Sequence, residues 1–360
     1  MKKHFWGLLP LAIATSGLSF AAHAALPQSG FISAASRADI AYDTIHDVLY
    51  ISGSNSLLRY DLPSQSFLAP IALGGTTFGM DISPDGKTLA VANTSKTATK
   101  NFIDLIDLET GTSTRAGFNL SFSEGGTYTV AYDADGKLLV SSRFQGSGWT
   151  PLRKYDPVTG STSTLGSVRQ DTMLAASANH SVIAVAESNI SSGPVGTYRT
   201  GDSSYRSAFD TYAFVFEVAA SRDGSQLAIP TYLGTYIEDP ALIVPSIGTY
   251  AGPAPIGAAY SPVKDSIYLP FSQSSYVAEY DTTTGLEVKR YQVDGTFDWI
   301  GNHAFNEGRI KVAADGSYFF VTLDSGVYFQ SLTPVPEPEA YLMLVAGLGL
   351  VGIRTRRKQK

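Results

Sequence analysis

Short apolar runs recur along most of this chain, each entered and left through a polar turn. "FGMDISPDGKTLAVANTSKTATKNFIDLIDLETGT" from Phe78, "YTVAYDADGKLLVSSRFQGSGWTPLRKYDPVTGS" from Tyr128 and "VFEVAASRDGSQLAIPTY" from Val215 follow one order: alternating strand, Asp-Gly turn, apolar strand. Weaker copies begin at Ala38, Asp171, Ile256 and Arg309, which makes seven. Their turn pairs fall at Asp47, Asp85, Asp135, Asn179, Asp223, Lys264 and Asp315, a period of about 45 residues, the length of a four-stranded propeller blade. Asp-Gly is expected to supply the positive φ angles of a tight hairpin. The flanks "TLAVAN", "KLLVSS" and "SYFFVTL" read as strands buried between neighbouring blades. Helical periodicity appears only at the two ends.

Each full unit reads as strands a, b, c and d, with a second turn after c at "DLETGT", "DPVTGS" and "DTTTGL". The last unit stops after c, at Leu332, while "GFISAAS" from Gly30 is an orphan strand. The expectation is that this first strand serves as strand d of the seventh blade and closes the ring. The fold class is therefore all-β, a seven-bladed β-propeller over residues 25–332, flanked by a signal helix and a short transmembrane helix.

The ends are of another kind. Lys2 and Lys3 precede an apolar stretch from Trp6 to Phe20, and Ala22 and Ala24 are placed as a signal-peptidase site, so residues 1–24 read as a secretory leader. From residue 333 the chain has a Pro-Glu-Pro spacer (Pro336, Glu337, Pro338), 14 apolar or small residues over 340–353, and the cations Arg354, Arg356, Arg357, Lys358 and Lys360. As a helix the apolar run spans about 21 Å against a hydrocarbon core of about 30 Å. The basic cluster orients it with the C-terminus in the cytoplasm.

These three parts resemble the PEP-CTERM sorting signal of bacterial proteins. The resemblance implies an exosortase that cuts near the Pro-Glu-Pro site and passes the protein to the cell surface or an exopolysaccharide matrix. A permanent single-span anchor through 340–353 is the alternative, and both place the domain outside the cytoplasmic membrane. The repeated units resemble seven-bladed propellers of the YVTN and surface-layer group through "SPDGKTLAVAN" followed by "IDLETGT", although "LAVANT" stands where that group has its tetrapeptide. That resemblance implies a scaffold used mostly for binding and sometimes for catalysis.

Removing both ends leaves 19 basic and 30 acidic residues, a formal charge of about −11. No basic run survives to neutralise phosphates, which argues against a nucleic-acid partner. Cysteine is absent, so disulfides, thiol nucleophiles and Cys-ligated zinc are excluded.

In this fold the b–c and d–a connections emerge on one face, and here they are the longer and more varied ones, which marks that rim as the functional surface. It is expected to carry Phe144 and Trp149, Tyr232 and Tyr236, and Phe297, Trp299, His303 and Phe305, beside Gln145, Glu238, Asp239 and Asn302. Such rings suit the C–H faces of sugars, with amides and carboxylates for the hydroxyls. Phe144, Trp149, Tyr232, Tyr236, Trp299 and His303 are the candidate ligand residues, for an extracellular polysaccharide or a matrix protein. No catalytic motif, metal-ligand spacing or cofactor fingerprint is present. His46 and His180 fall at a–b turns on the opposite face and are expected to be solvated. The rival reading is an extracellular hydrolase or lyase acting on carbohydrate or a small ester, with His303 flanked by Asp294, Asp298 and Glu307; a third is a structural spacer.

Overall fold

The computed structural model describes residues 26–188, 193–212, 214–242, 248–250, 254–297 and 307–333. The leader with Ala22 and Ala24, the tail with Pro336, Glu337, Pro338, Arg354, Arg356, Arg357 and Lys358, and also Trp299, His303 and Phe305 lie outside the described residues. Among the described residues no helix is long and apolar enough to cross a membrane.

The first strand, β1 (Ser29–Ser33), belongs to the last blade. Blade 1 is β2 (Ile40–Asp43), β3 (Val48–Ile51), β4 (Ser56–Asp61) and β5 (Ser66–Ala72). Blade 2 is β6 (Thr77–Ile82), β7 (Thr88–Lys96), β8 (Lys100–Asp107) and β9 (Ser113–Asn119). Blade 3 is β10 (Glu124–Tyr132), β11 (Leu138–Phe144), β12 (Trp149–Tyr155) and β13 (Thr162–Arg169). Blade 4 is β14 (Thr172–Ala176), β15 (Val182–Glu187), β16 (Gly193–Arg199) and β17 (Arg206–Tyr212). Blade 5 is β18 (Ala219–Ala220), β19 (Leu227–Thr231), β20 (Gly234–Glu238) and β21 (Gly248–Tyr250). Blade 6 is β22 (Ala259–Tyr260), β23 (Ser266–Pro270), β24 (Tyr276–Asp281) and β25 (Glu287–Gln292). Blade 7 is β26 (Ile310–Val312), β27 (Tyr318–Thr322) and β28 (Gly326–Ser331), completed by β1.

The expected seven sheets are present, each four-stranded and antiparallel. Ring closure is by β1 against β28, in register from Ser29 opposite Gln330 to Ser33 opposite Gly326. Ile32 of β1 packs with Tyr42, Phe320 and Phe329, so the two chain ends share one apolar cluster with blade 1. A closed ring leaves no open sheet edge between first and last blades.

Burial follows the order of strands within a blade. The second strands "VLYI", "VIAVAE", "SIYLP" and "YFFVT" are buried at every position, because neighbouring blades cover both their faces. The fourth strands are mostly exposed, as in β5 and β25. Apolar clusters lie between adjacent blades, Leu89 and Val91 of blade 2 meeting Ala41 and Tyr50 of blade 1.

The Asp-Gly turns depart from expectation in one respect. Only the glycine is left-handed, at φ 71° for Gly86, 72° for Gly136 and 73° for Gly316. The aspartate instead uses its carboxylate to accept the backbone N–H two residues on, as Asp315 does from Ser317 at 2.9 Å, an Asx-type contact. The second turns are equally uniform: Asp107, Asp156 and Asp281 accept the N–H of Thr110, Thr159 and Thr284 at 2.7, 3.1 and 2.7 Å. Those backbone donors hold all three carboxyls below their ordinary pKa.

Candidate functional site: a loop-face cleft and a blind channel

The two faces present two candidate sites. On the loop face a polar cleft of 540 Å³ lies between blades 2 and 3, lined by Lys96, Thr99, the 119–124 connection and Gln145. Two large rings are exposed on the connections of these blades: Phe122, 91% exposed in the β9–β10 connection, and Trp149, 54% exposed at the first residue of β12. The Arg169 guanidinium lies 5.8 Å from the Trp149 ring. Phe144, at the end of β11, is half-buried beside Gly148, where a Cβ would meet its ring at 2.7 Å.

A buried ion pair fixes the cleft. Glu124 and Arg153 face each other across blade 3 with both carboxylate oxygens engaged. Arg153 also donates to the Asn119 carbonyl at 3.1 Å and the Ser121 hydroxyl at 3.2 Å, and its guanidinium lies 4.9 Å from the Phe118 ring. The backbone N–H of Ser121 donates to Glu124 at 2.8 Å, and that of Gln145 to the Ser123 carbonyl at 2.7 Å. The connection that carries Phe122 is therefore tied down at both ends.

The remaining expected rim residues do not join this group. Tyr232 is exposed on the loop face, but in the β19–β20 turn of blade 5, where it meets Phe214 at 6.2 Å. Tyr236 lies inside β20, half-buried and packed on Tyr212 at 5.0 Å. Glu238 ends β20 toward the opposite face, buried, and accepts the Tyr212 hydroxyl; Asp239 follows it there. Phe297 is fully buried in the cluster between blades 6 and 7.

The second candidate opens on the turn face. The inner strands of blades 1, 2, 4, 5, 6 and 7 and the turns that follow them surround a central channel of 340 Å³. Its walls are mixed: Ile40, Met80, Ala175, Ala219 and Ile310 supply apolar surface, and Asp81, Ser177, His180 and Ser261 supply polar groups. Behind the lining residue Glu217 lies a guanidinium shared between two carboxylates. Arg309 donates to Asp39 from Nε at 2.8 Å and Nη2 at 3.2 Å, and to Glu217 Oε1 from Nη1. Asp39 also accepts the Met80 N–H at 2.9 Å, so it bonds the inner strand of the next blade.

Electrostatics separate the two acids. Burial alone would raise Asp39, but Arg309 and Lys311 outweigh it and hold its carboxyl below the usual range. Burial raises Glu217, and Arg309 does not overcome it because that cation is shared with Asp39, whose charge also repels Glu217. Asp81, higher in the channel, is likewise raised by burial, although His180 and the N–H groups of Tyr132 and Ile82 partly offset this.

The expectation that His46 and His180 are solvated holds only in part: the His46 side chain is 34% exposed and His180 is half-buried, and both have protein partners. His46 bridges blades 1 and 2, with Nδ1 2.6 Å from Asp43 and Nε2 3.2 Å from Glu109. His180 is half-buried at the channel mouth, Nδ1 donating to the Tyr132 carbonyl at 3.0 Å. Their turns stand beside a neighbouring blade, and that neighbour supplies the partners. The channel residues Asp39, Asp81, Glu217, Arg309 and Lys311 were not singled out by sequence reasoning. The available signal was a charge at the start of, or within, an apolar inner strand, as in "RADIAY", "FEVAAS" and "GRIKVAA". Among the described residues no cluster of ligating side chains could hold a metal ion.

Comparison with known proteins bears on the tail and the fold. Residues 334–358 match the PEP-CTERM protein-sorting motif. No curated protein matches the chain. Among solved structures, a chain of the mitotic checkpoint complex is 13% identical with a TM-score of 0.62, the alignment covering 92% of this chain and 99% of that one. Hydrazine synthase of Kuenenia stuttgartiensis is also 13% identical, with a TM-score of 0.61 and coverage of 85% and 98%. Similarity at that identity shows the fold alone. The chain is a seven-bladed β-propeller that carries a PEP-CTERM motif, which implies export and exosortase-mediated sorting to the cell surface.

Proposed function

We propose that this protein is a non-enzymatic, exported binding module whose loop-face cleft between blades 2 and 3 holds extracellular polysaccharide. The observation that carries the reading is an exposed ring, Phe122, in a polar cleft and on a connection clamped by Glu124 and Arg153, with a second exposed ring, Trp149, on the same face of blade 3. A lone exposed aromatic is ordinary. One ring in a rigid polar groove and a second on the same face fit a sugar chain, whose C–H faces stack on rings while its hydroxyls exchange water for Gln145, Asn119 and serine groups. The cleft is open to solvent, as a polymer needs, and the sorting motif would bring the domain to where such polymers lie.

The test is retention of the full chain on matrix polysaccharide purified from the producing cells. Replacing Phe122 and Trp149 together by alanine is expected to weaken retention by about tenfold or more, about 1.4 kcal/mol, with an unchanged melting temperature because both rings face water. Undiminished retention would refute the reading. Release of oligosaccharides by the wild-type chain would favour the hydrolase or lyase alternative.

A further inference from the structure

The channel presents two charged groups whose hydrogen-bonding capacity is not used up. Glu217 is 3% exposed and lines the channel, and its Oε1 takes both the Arg309 guanidinium and the Val218 N–H. Among the described residues its Oε2 accepts no hydrogen bond. Lys311, from β26, also lines the channel, and among the described residues its ammonium makes no ion pair or hydrogen bond. A carboxylate oxygen open to the cavity, and an ammonium that acts on Asp39, Asp81 and Glu217 only from beyond ion-pair distance, can each take a ligand without breaking a native bond.

We propose that the blind central channel is a binding site for a free α-amino acid with an apolar side chain, its ammonium taken by Glu217 Oε2 and its carboxylate by Lys311. A simple anion would answer Lys311 and leave Glu217 open, and a simple amine would do the reverse; a zwitterion answers both. Volume and lining narrow the class further. At 340 Å³ the channel is at the small end of ligand pockets, and the Asp39–Arg309–Glu217 cluster closes it to a threading polymer. The apolar part of the wall, Ile40, Met80, Ala175, Ala219 and Ile310, would receive a branched or thioether side chain, which would bury apolar surface there at about 25 cal/mol per Å². The raised Glu217 carboxyl agrees with this, since an incoming ammonium would offset the burial that disfavours its charge. This site is on the opposite face from the polysaccharide cleft and does not depend on it.

The test is calorimetric titration of the full chain with L-leucine, alongside L-leucinamide and 4-methylpentanoate, which lack the carboxylate and the ammonium respectively. L-leucine is expected to bind, and each truncated analogue to bind at least about tenfold more weakly. Lys311→Met, which leaves the Arg309 ion pairs in place, should weaken L-leucine by a similar factor while keeping the polysaccharide retention of the wild type. The proposal is overturned by any of three results: no binding of L-leucine, L-isoleucine, L-methionine or L-phenylalanine at about 10 mM, equal affinity for the truncated analogues, or undiminished affinity in Lys311→Met.

Discussion

Beneath the loop-face cleft, Glu124 and Arg153 form a one-to-one buried pair in which both carboxylate oxygens are engaged. Behind the channel lining one guanidinium serves two carboxylates, and an oxygen of Glu217 is left facing the cavity. The first arrangement is closed, so it can only hold the connection above it in shape. The second is open, so it can hold the ring together and still offer a group to a ligand. Whether a buried charge is scaffold or site depends on whether its hydrogen-bonding capacity is used up.

The largest expected effect removes the frame common to both regions. Deleting residues 26–36 takes away β1, unpairs β28 and exposes the Ile32 cluster; thermal unfolding of the full chain should then shift down by about 10 °C or more. An unchanged transition would mean that closure does not depend on this strand. Next, Arg309→Leu leaves two buried carboxylates without their ion-pair partner and Arg153→Leu leaves one. Both should destabilise by about 3–5 kcal/mol in denaturant titrations, with Arg309→Leu the costlier. The reverse order would break the comparison, since it would mean that the open arrangement contributes less than the closed one.

The smallest effect concerns pH. The Glu217 carboxyl titrates above its ordinary value of 4.5 in the folded chain, so the folded state binds the extra proton there and stability falls as pH rises from 4.5 through the raised value. Asp39 acts oppositely, its contribution being present above pH 3.8 and lost below it. Glu217→Gln should therefore flatten the decline above pH 4.5, reducing it rather than abolishing it because Asp81 is raised in the same sense. A slope identical to wild type would show that Glu217 does not titrate as described.

Much of the architecture could be read before folding. The "SPDG" and "ETGT" turns require only a local contact between an aspartate and the backbone beyond it, so Asp85-Gly86 and Asp107-Gly111 announce hairpins by themselves. Trp149 and Gln145 were placed on the correct rim because connection class fixes the face. Tyr236 and Glu238 were not, and Phe297 lies in the expected β25–β26 connection but is buried, because a residue in or near a loop can still point inward once its strand ends are set. Tyr236 and Phe297 meet neighbouring blades, and only the packed blades show that.

The sequence by itself determined the number of blades, the strand order within each, the closing role of the first strand and the presence of the sorting motif. All of these rest on contacts within about 45 residues or on the linear order of short segments. The tertiary structure alone decided what the centre of the ring contains. Arg309 lies 270 residues from Asp39 and 92 from Glu217, and no local rule relates them. They meet because seven inner strands converge on one axis, where water is excluded and any charge must find its partner from another blade.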